Sequence, residues 1–161
     1  SFNDATTAPG TFSAGNGSPW TVGFVVELTA AAIADGSDVV VYSSQDWSVG
    51  WDTDYIWACQ YTHYAQGNYS WLKALGITTA GTYTITGTQD GTATGLVLYV
   101  NGVSVGQPQN HTSFGGLGDS LVIHSKYNEH AIWGDILAVE RAITPSEAAN
   151  LHTYWAAKFI N

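Results

Sequence analysis

Short runs in which apolar and polar residues alternate, separated by turn residues, recur through most of this chain. In Trp20–Leu28 every second residue from Trp20 onward is apolar, and Gly81–Gln89 alternates threonines with Tyr83 and Ile85. A period of two is that of a β-strand, whose successive side chains point to opposite faces. With turn signals roughly every 8–12 residues, the pattern predicts about ten short strands in an all-β domain.

A β-hairpin is the clearest local feature. Two strand-like runs, Leu96–Val100 and Val103–Val105, flank the dipeptide Asn101-Gly102. Both central residues of a type I′ turn need a positive φ, which asparagine and glycine adopt most easily. The sequence therefore predicts two antiparallel strands joined by a type I′ turn.

One segment follows the period of a helix instead. Thr144, Pro145 and Glu147 form a capping box with proline at the first helical position. Behind it, an apolar stripe at helical spacing predicts a helix that packs on the strands. The stripe consists of Ala148, Leu151, Trp155 and Phe159.

Together these elements predict the fold class: all-β, a two-sheet antiparallel jelly-roll sandwich with one C-terminal α-helix. The chain has 161 residues, which suits one domain that spans residues 1–161. We expect this domain to be part of a larger protein.

Three stretches carry a family resemblance. Pro19–Glu27 reads P-W-T-V-G-F-V-V-E, and Gly81–Gly106 joins G-T-Y-T-I-T-G and D-G to the hairpin L-Y-V-N-G-V-S-V-G. Gly134–Glu147 reads G-D-I-L-A-V-E-R-A-I-T-P-S-E. In order and spacing these stretches resemble the laminin G-like (LamG) branch of the concanavalin A-like lectin/glucanase superfamily. One departure is Val139, where the family prefers an aromatic residue.

The resemblance implies a concanavalin A-like sandwich that binds glycans or proteins, often with a bound calcium ion. Calcium prefers oxygen ligands, and the turns of this chain are rich in aspartate. No twelve-residue calcium loop is present, and aspartate is common in turns for conformational reasons. Calcium therefore stays an open cofactor, without assigned ligands, among Asp35, Asp38, Asp46, Asp52, Asp54, Asp90 and Asp119.

The charge of the chain restricts its partners. Thirteen acidic residues stand against four basic ones, which gives a formal net charge of −9. So few cations cannot form the basic patch that nucleic acid or an anionic membrane requires. No apolar run reaches the roughly 20 residues of a membrane span, so we expect no membrane insertion. A single cysteine, Cys59, excludes an intrachain disulfide and a multi-cysteine zinc site.

Catalysis is the least favoured function. Some relatives in this superfamily are glycosidases or polysaccharide lyases, and glycoside hydrolysis normally needs two carboxylates that flank the bond. Asp52 and Asp54 share a strand face, but the E-x-D-x-x-E pattern of the jelly-roll glucanases is missing. The histidines also lack metal-protease or triad spacing. We therefore expect that this protein is not an enzyme and has no catalytic residues.

The middle of the chain carries the strongest functional signal, because aromatic residues cluster there among polar ones. Sugar rings stack their apolar C–H faces on indole and phenol rings, while their hydroxyls need acid, amide or imidazole partners. The alternative is that these rings fill the core, since aromatic side chains bury large areas. The candidate glycan-binding residues are Trp47, Trp51, Asp52, Asp54, Trp57, His63, Tyr64, Asn68, Tyr69 and Trp71.

Two functions follow from these observations. The first is a non-catalytic, lectin-like module that binds carbohydrate or a cell-surface polysaccharide, at the surface of an extracellular protein or of a virion, such as a phage attachment protein. The second is a structural module whose aromatic residues contact other protein subunits, in a homo-oligomer or a virion. A concave groove favours the first function, and a flat self-complementary patch favours the second.

Overall fold

Two antiparallel sheets and a C-terminal helix make up this protein. The computed structural model describes residues 19–35, 38–43, 47–51, 55–63, 68–92, 95–105, 107–109, 121–126 and 131–160. In chain order the elements are β1 (Trp20–Leu28), α1 (Ala30–Asp35), β2 (Asp38–Ser43), β3 (Trp47–Trp51), β4 (Tyr55–His63), β5 (Asn68–Leu75), β6 (Gly81–Gln89), β7 (Val97–Val100), β8 (Val103–Val105), β9 (Gln107–Gln109), β10 (Leu121–Lys126), β11 (Ala131–Val139) and α2 (Pro145–Phe159).

The strands divide between a five-stranded sheet, in the order β11-β1-β6-β7-β8, and a six-stranded sheet, in the order β10-β2-β3-β4-β5-β9. Each pairing described between neighbouring strands is antiparallel. The chain crosses from one sheet to the other between β8 and β9, which only residue 106 separates. The expected antiparallel, mostly β architecture with a C-terminal helix is thereby confirmed.

Both sheets contribute to one apolar core. Alternate residues of β1 enter it, with Phe24 at the centre of the strand, and β6 and β7 add Ile85 and Leu98. The six-stranded sheet supplies Trp51 and Ile56 to the same cluster. The period of two seen in the sequence therefore separates the core-facing residues of β1 from the residues on its other face.

The predicted hairpin is present as β7 and β8. Asn101 and Gly102 both have positive φ, at 50° and 74°, as a type I′ turn requires. The turn is also fastened to β6, because the Asn101 amide donates to the Thr84 carbonyl at 2.9 Å and the Asn101 side-chain oxygen accepts from the Thr84 amide at 3.0 Å. The hairpin is thus held against the five-stranded sheet at its tip.

Helix α2 begins as the sequence predicts. The Thr144 hydroxyl accepts from the Glu147 amide at 3.2 Å, and the Glu147 carboxylate accepts from the Thr144 amide at 2.8 Å. The short helix α1 precedes β2, so the single C-terminal helix that we expected has a companion. In the described part of the chain, neither helix has the length and apolar character needed to cross a membrane.

The face of the five-stranded sheet that points away from the core carries Gly23 and Thr86 beneath α2, and Tyr99 clusters there with Ile143 and Ala148. Trp155 is only 2% exposed, and its ring would lie 3.1 Å from a Cβ built on Gly23 of β1. The Gly102 position is equally tight, since a Cβ there would lie 3.0 Å from the His152 Cβ. Glycine at these two positions lets the helix approach the sheet closely.

Buried hydroxyl groups join the segment before α2 to the same face. The hydroxyls of Thr21 and Thr88 lie 2.7 Å apart, and the Thr21 hydroxyl donates to the Arg141 carbonyl at 2.7 Å. The Ile143 amide donates to the Thr88 hydroxyl at 3.1 Å. These bonds satisfy polar groups that burial beneath the helix would otherwise leave unpaired.

We expect Trp155→Ala to lower the free energy of unfolding by about 3–5 kcal/mol, because it empties a large buried volume between α2 and β1. The matched control is Tyr154→Ala on the same helix, where the ring is 61% exposed and the expected change is below about 1 kcal/mol. Urea unfolding followed by circular dichroism measures both. Equal stability of the two variants would contradict the packing of α2 described above.

The ion pair at the start of α2 predicts that the free energy of unfolding decreases at low pH. The hydrogen bond from Arg141, together with that from the Thr144 amide, lowers the pKa of Glu147 to about 2 from its ordinary 4.5. A lowered folded-state pKa contributes stability that is complete above the unfolded pKa and is lost as the pH falls towards 2. We expect the stability difference between the wild type and Glu147→Gln to be largest above pH of about 5 and to shrink as the pH approaches about 2. Urea midpoints across this range measure it. In an Arg141→Gln background the pH-dependent difference should be smaller, and an unchanged one would contradict the role of Arg141.

Candidate functional site

Three buried residues fix which face of the six-stranded sheet meets the core. Val49, Trp51 and Ile56 all belong to the core cluster, and Trp51 is the direct cross-strand partner of Ile56. Directly opposite residues on neighbouring strands share a face, while successive residues along one strand alternate between faces. The intervening positions of β3, β4 and β5 therefore lie on the opposite, outer face.

The register places six aromatic positions on that outer face, and four of them lie close together along β4 and β5; the other two are Tyr42 and Tyr55. Trp57 of β4 is opposite Gly50 of β3, which lies between Val49 and Trp51. Two and four residues further along β4, Cys59 is opposite Trp71 and Tyr61 is opposite Tyr69. We call the positions Trp57, Tyr61, Tyr69 and Trp71 the aromatic face.

Pair geometry gives the dimensions of the aromatic face. Directly opposite residues such as Tyr61 and Tyr69 have Cβ atoms about 4.5–5.5 Å apart, and diagonal neighbours such as Trp57 and Trp71 are about 7–8 Å apart. Trp57 and Tyr61 are four residues apart on β4, so that their backbone positions are about 13 Å apart at a rise of about 3.3 Å per residue. The four positions thus form a strip of aromatic residues along two neighbouring strands.

Amide side chains follow at the edge of the sheet. The short strand β9 pairs with β5, so that Gln109 is opposite Trp71 and Gln107 is opposite Lys73. The sequence analysis missed β9, because Pro108 lies at its centre and proline cannot donate to a strand ladder. An edge strand tolerates proline, since one side of its backbone makes no ladder bonds.

One predicted residue proves to belong to the core. Trp51 is 0% exposed, and its indole N–H donates to the Ile77 carbonyl at 3.1 Å. A ring that is enclosed in this way cannot stack on a sugar, so the prediction that Trp51 contacts glycan is wrong. The alternative that the sequence left open, an aromatic residue that fills the core, applies at this position.

The other candidate residues fall into three groups. Trp47 occupies the same side of β3 as Val49 and Trp51, opposite Gln60. His63 is opposite Asn68, where the ladder between β4 and β5 shifts register after Tyr61. Trp57, Tyr69 and Trp71 lie together on the aromatic face, whereas Asp52, Asp54 and Tyr64 fall outside the described residues.

Metal binding was predicted only in general terms. Asp90 serves turn chemistry, because its carboxylate accepts from the amide and the hydroxyl of Thr92 at 2.8 and 2.6 Å. Within the described ranges, no three histidine, cysteine, aspartate or glutamate side chains come together as metal ligands would. Calcium binding stays a prediction, and Asp46, Asp52, Asp54 and Asp119 fall in segments that the structure does not describe.

Sequence comparisons place this chain in no family: no family model matches it, and no curated protein matches it. Solved structures do match. The binding domain of botulinum neurotoxin serotype D superimposes on 85% of this chain and 37% of its own, with a TM-score of 0.67 at 14% identity. The structure of the binding domain of botulinum neurotoxin DC in complex with SialylT also matches, with a TM-score of 0.64. The match covers 85% of this chain and 36% of the neurotoxin chain, at 10% identity.

The same neurotoxin DC binding domain, in complex with rat synaptotagmin II, matches over the same shares of the two chains, with a TM-score of 0.63 and 10% identity. At such identities the likeness is one of fold. This chain spans a little over a third of the length of these binding domains. The similar structures are therefore binding domains by their own descriptions, and this chain shares the fold of one part of them.

The two tryptophans 51 and 57 give a direct test of the face assignment. We expect Trp51→Phe to lower the free energy of unfolding by about 2–4 kcal/mol, because it leaves a cavity and removes the donor to Ile77. Trp57→Phe should change it by less than about 1 kcal/mol, since the outer face requires no such fit. Chemical unfolding of both variants measures the difference. The assignment fails if Trp57→Phe is the more destabilising of the two.

Proposed function

We propose that this protein is a non-catalytic, lectin-like module that binds carbohydrate on the aromatic face, within a concanavalin A-like jelly-roll sandwich. The observation that carries the proposal is the register of β3, β4, β5 and β9, which gathers Trp57, Tyr61, Tyr69 and Trp71 on one face. Aromatic positions gathered on one face of a sheet fit a binding function, because large apolar patches at a surface mark interaction sites.

Carbohydrate suits the chemistry of this face. Indole and phenol rings offer flat apolar surfaces to the C–H faces of a sugar, and each ring brings a polar atom that can remain hydrated. Gln107 and Gln109, opposite Lys73 and Trp71, add amide donors and acceptors for sugar hydroxyls.

The similar structures support a binding role. Each is a binding domain, one in complex with SialylT and another with rat synaptotagmin II. Binding to a glycan or a protein receptor is therefore compatible with this fold. We propose the glycan for this chain because the register places Gln107 and Gln109 on the strand next to the aromatic face, and amide groups pair with sugar hydroxyls.

A binding role without turnover is part of the proposal. We propose no catalytic residue, since the carboxylate pattern of the jelly-roll glucanases is missing from the sequence. We place the module on an extracellular protein or a virion surface, where several copies would raise a weak single-site affinity through avidity. Calcium is tested by repeating each binding measurement with a chelator.

The test is a glycan array screened with the purified protein, followed by titration of the best ligand while tryptophan fluorescence is recorded. We expect Trp57→Ala and Trp71→Ala each to weaken binding by about tenfold, because each removes one stacking surface. Trp57→Phe should retain part of the affinity, since it keeps an aromatic ring. Circular dichroism of each variant verifies that the fold is intact.

The matched control is Tyr154→Ala, which removes an exposed ring from α2, on the other sheet, and should leave binding unchanged. If no glycan binds and the Trp57 and Trp71 variants instead dissociate an oligomer in analytical ultracentrifugation, the aromatic face is a protein interface and the proposal is wrong.

A further inference from the structure

The dipeptide Asn101-Gly102, at the tip of the hairpin formed by β7 and β8, carries a chemistry that the proposed function does not use. The side-chain amide carbon of asparagine is an electrophile, and the backbone nitrogen of the following residue can attack it to close a five-membered ring. Glycine in the second position leaves this nitrogen accessible, because it has no Cβ to shield it. Among the described residues, Asn101 is the only asparagine that precedes a glycine. The tip of the hairpin is therefore a candidate site for the loss of ammonia from a side chain.

Two hydrogen bonds to one residue of β6 hold Asn101 in the folded protein. Its backbone amide donates to the Thr84 carbonyl at 2.9 Å, and its side-chain Oδ1 accepts from the Thr84 amide at 3.0 Å. Ring closure requires the side chain and the backbone to reach an orientation in which the Gly102 nitrogen meets the face of the side-chain carbonyl group. Both bonds restrict that search, because they fix the backbone and the side chain of Asn101 to the same residue.

Helix α2 covers the same tip. A Cβ built on Gly102 would lie 3.0 Å from the His152 Cβ and 3.1 Å from the Ala149 Cα, so the backbone of the turn has no room to move towards the helix. The His152 ring also reaches β6, with its Nδ1 3.1 Å from the Thr84 hydroxyl. Asn101 and Gly102 are both half-buried, and they lie where the hairpin tip, β6 and α2 meet.

From this placement we propose that Asn101 is a modification site, which reacts with its own backbone when the hairpin tip separates from β6 and α2. The Gly102 nitrogen bonds to Cγ of Asn101, the bond from Cγ to Nδ2 breaks, and Nδ2 leaves as ammonia with the proton of the Gly102 amide. Water then opens the resulting succinimide ring at one of its two C–N bonds. Cleavage of the bond to Cγ yields aspartate, and cleavage of the bond to the main-chain carbonyl carbon yields isoaspartate. Glycan binding on the aromatic face plays no part in this reaction.

The two products differ in how they fit the turn. Aspartate keeps the main chain and a side-chain oxygen that can accept from the Thr84 amide. Isoaspartate leads the main chain through the former side chain, which adds one carbon atom to a two-residue turn and changes the geometry on which a type I′ hairpin depends. Because the turn has no free space towards His152 and Ala149, we expect isoaspartate to weaken the contact with α2 and aspartate to preserve it.

The rate of ammonia loss from the whole protein tests the proposal. The protein is incubated at mildly alkaline pH, either folded or in guanidinium chloride, and is then digested and analysed by mass spectrometry. We expect Asn101 to react at least about tenfold more slowly in the folded protein, because two hydrogen bonds and the contact with α2 have to open first. Asn150 is the internal control: Leu151 follows it within α2, so the attacking nitrogen is shielded and much slower reaction is expected in both states.

The same measurement can overturn the proposal in two ways. Absence of conversion at Asn101 in denaturant shows that the site is not reactive. Equal rates in the two states, or a faster rate in the folded protein, show that the packing of the tip does not protect it. Asn16-Gly17 lies outside the described residues, so the digestion has to yield separate peptides for the two asparagines.

Two variants of α2 test whether the helix controls the reaction. His152→Ala removes a contact with the hairpin tip and should raise the rate at Asn101 in the folded protein, towards the rate in denaturant. Tyr154→Ala removes a ring that is 61% exposed and should leave the rate unchanged. Circular dichroism verifies the fold of both variants, and the comparison of folded with denatured wild type depends on neither. A folded His152→Ala protein that reacts at the wild-type rate contradicts control by α2.

The modified protein gives a further readout. The isoaspartate form, separated by ion exchange and identified by isoaspartate-specific methylation, should unfold at a lower urea concentration than the Asn101→Asp variant. Equal urea midpoints of the two would show that the turn accommodates the longer main chain, against the fit described above.

Discussion

The packing of α2 on the five-stranded sheet is the interaction on which the arrangement of the described elements depends. That sheet has one face in the core and the other beneath α2, where Trp155 lies against Gly23 and Thr88 bonds to the segment before the helix. A sheet covered on both faces offers only its edges. The six-stranded sheet shares the core, and both described helices pack against strands of the other sheet. Among the described elements, α2 therefore lies on the outer face of the five-stranded sheet and not on that of the six-stranded sheet.

The aromatic residues of the middle segment divide between two roles according to strand parity. Trp51 and Trp57 are six residues apart, yet Trp51 is enclosed in the core and bonded to Ile77, while Trp57 is at an outward position opposite Gly50. A shift of one residue in the pairing of β4 would place Trp57 on the core side and Ile56 on the outer side, because the side-chain period of a strand is two. The core and the aromatic face are therefore specified by the same register, and neither can change without the other.

The sequence by itself determined the local elements: the alternation of Trp20–Leu28, the positive φ values of Asn101 and Gly102, and the capping box at Thr144. Each of these depends on interactions between residues close in the chain, which residue types encode directly. The sequence also identified the aromatic segment. It could not assign Trp51 to the core, and it could not predict β9, because Pro108 lies at the centre of that strand. Those decisions belong to the tertiary structure, because the pairing of Trp71 with Gln109 joins residues 38 positions apart. Such a register is set by which residues the shared core accepts, and no local pattern specifies it.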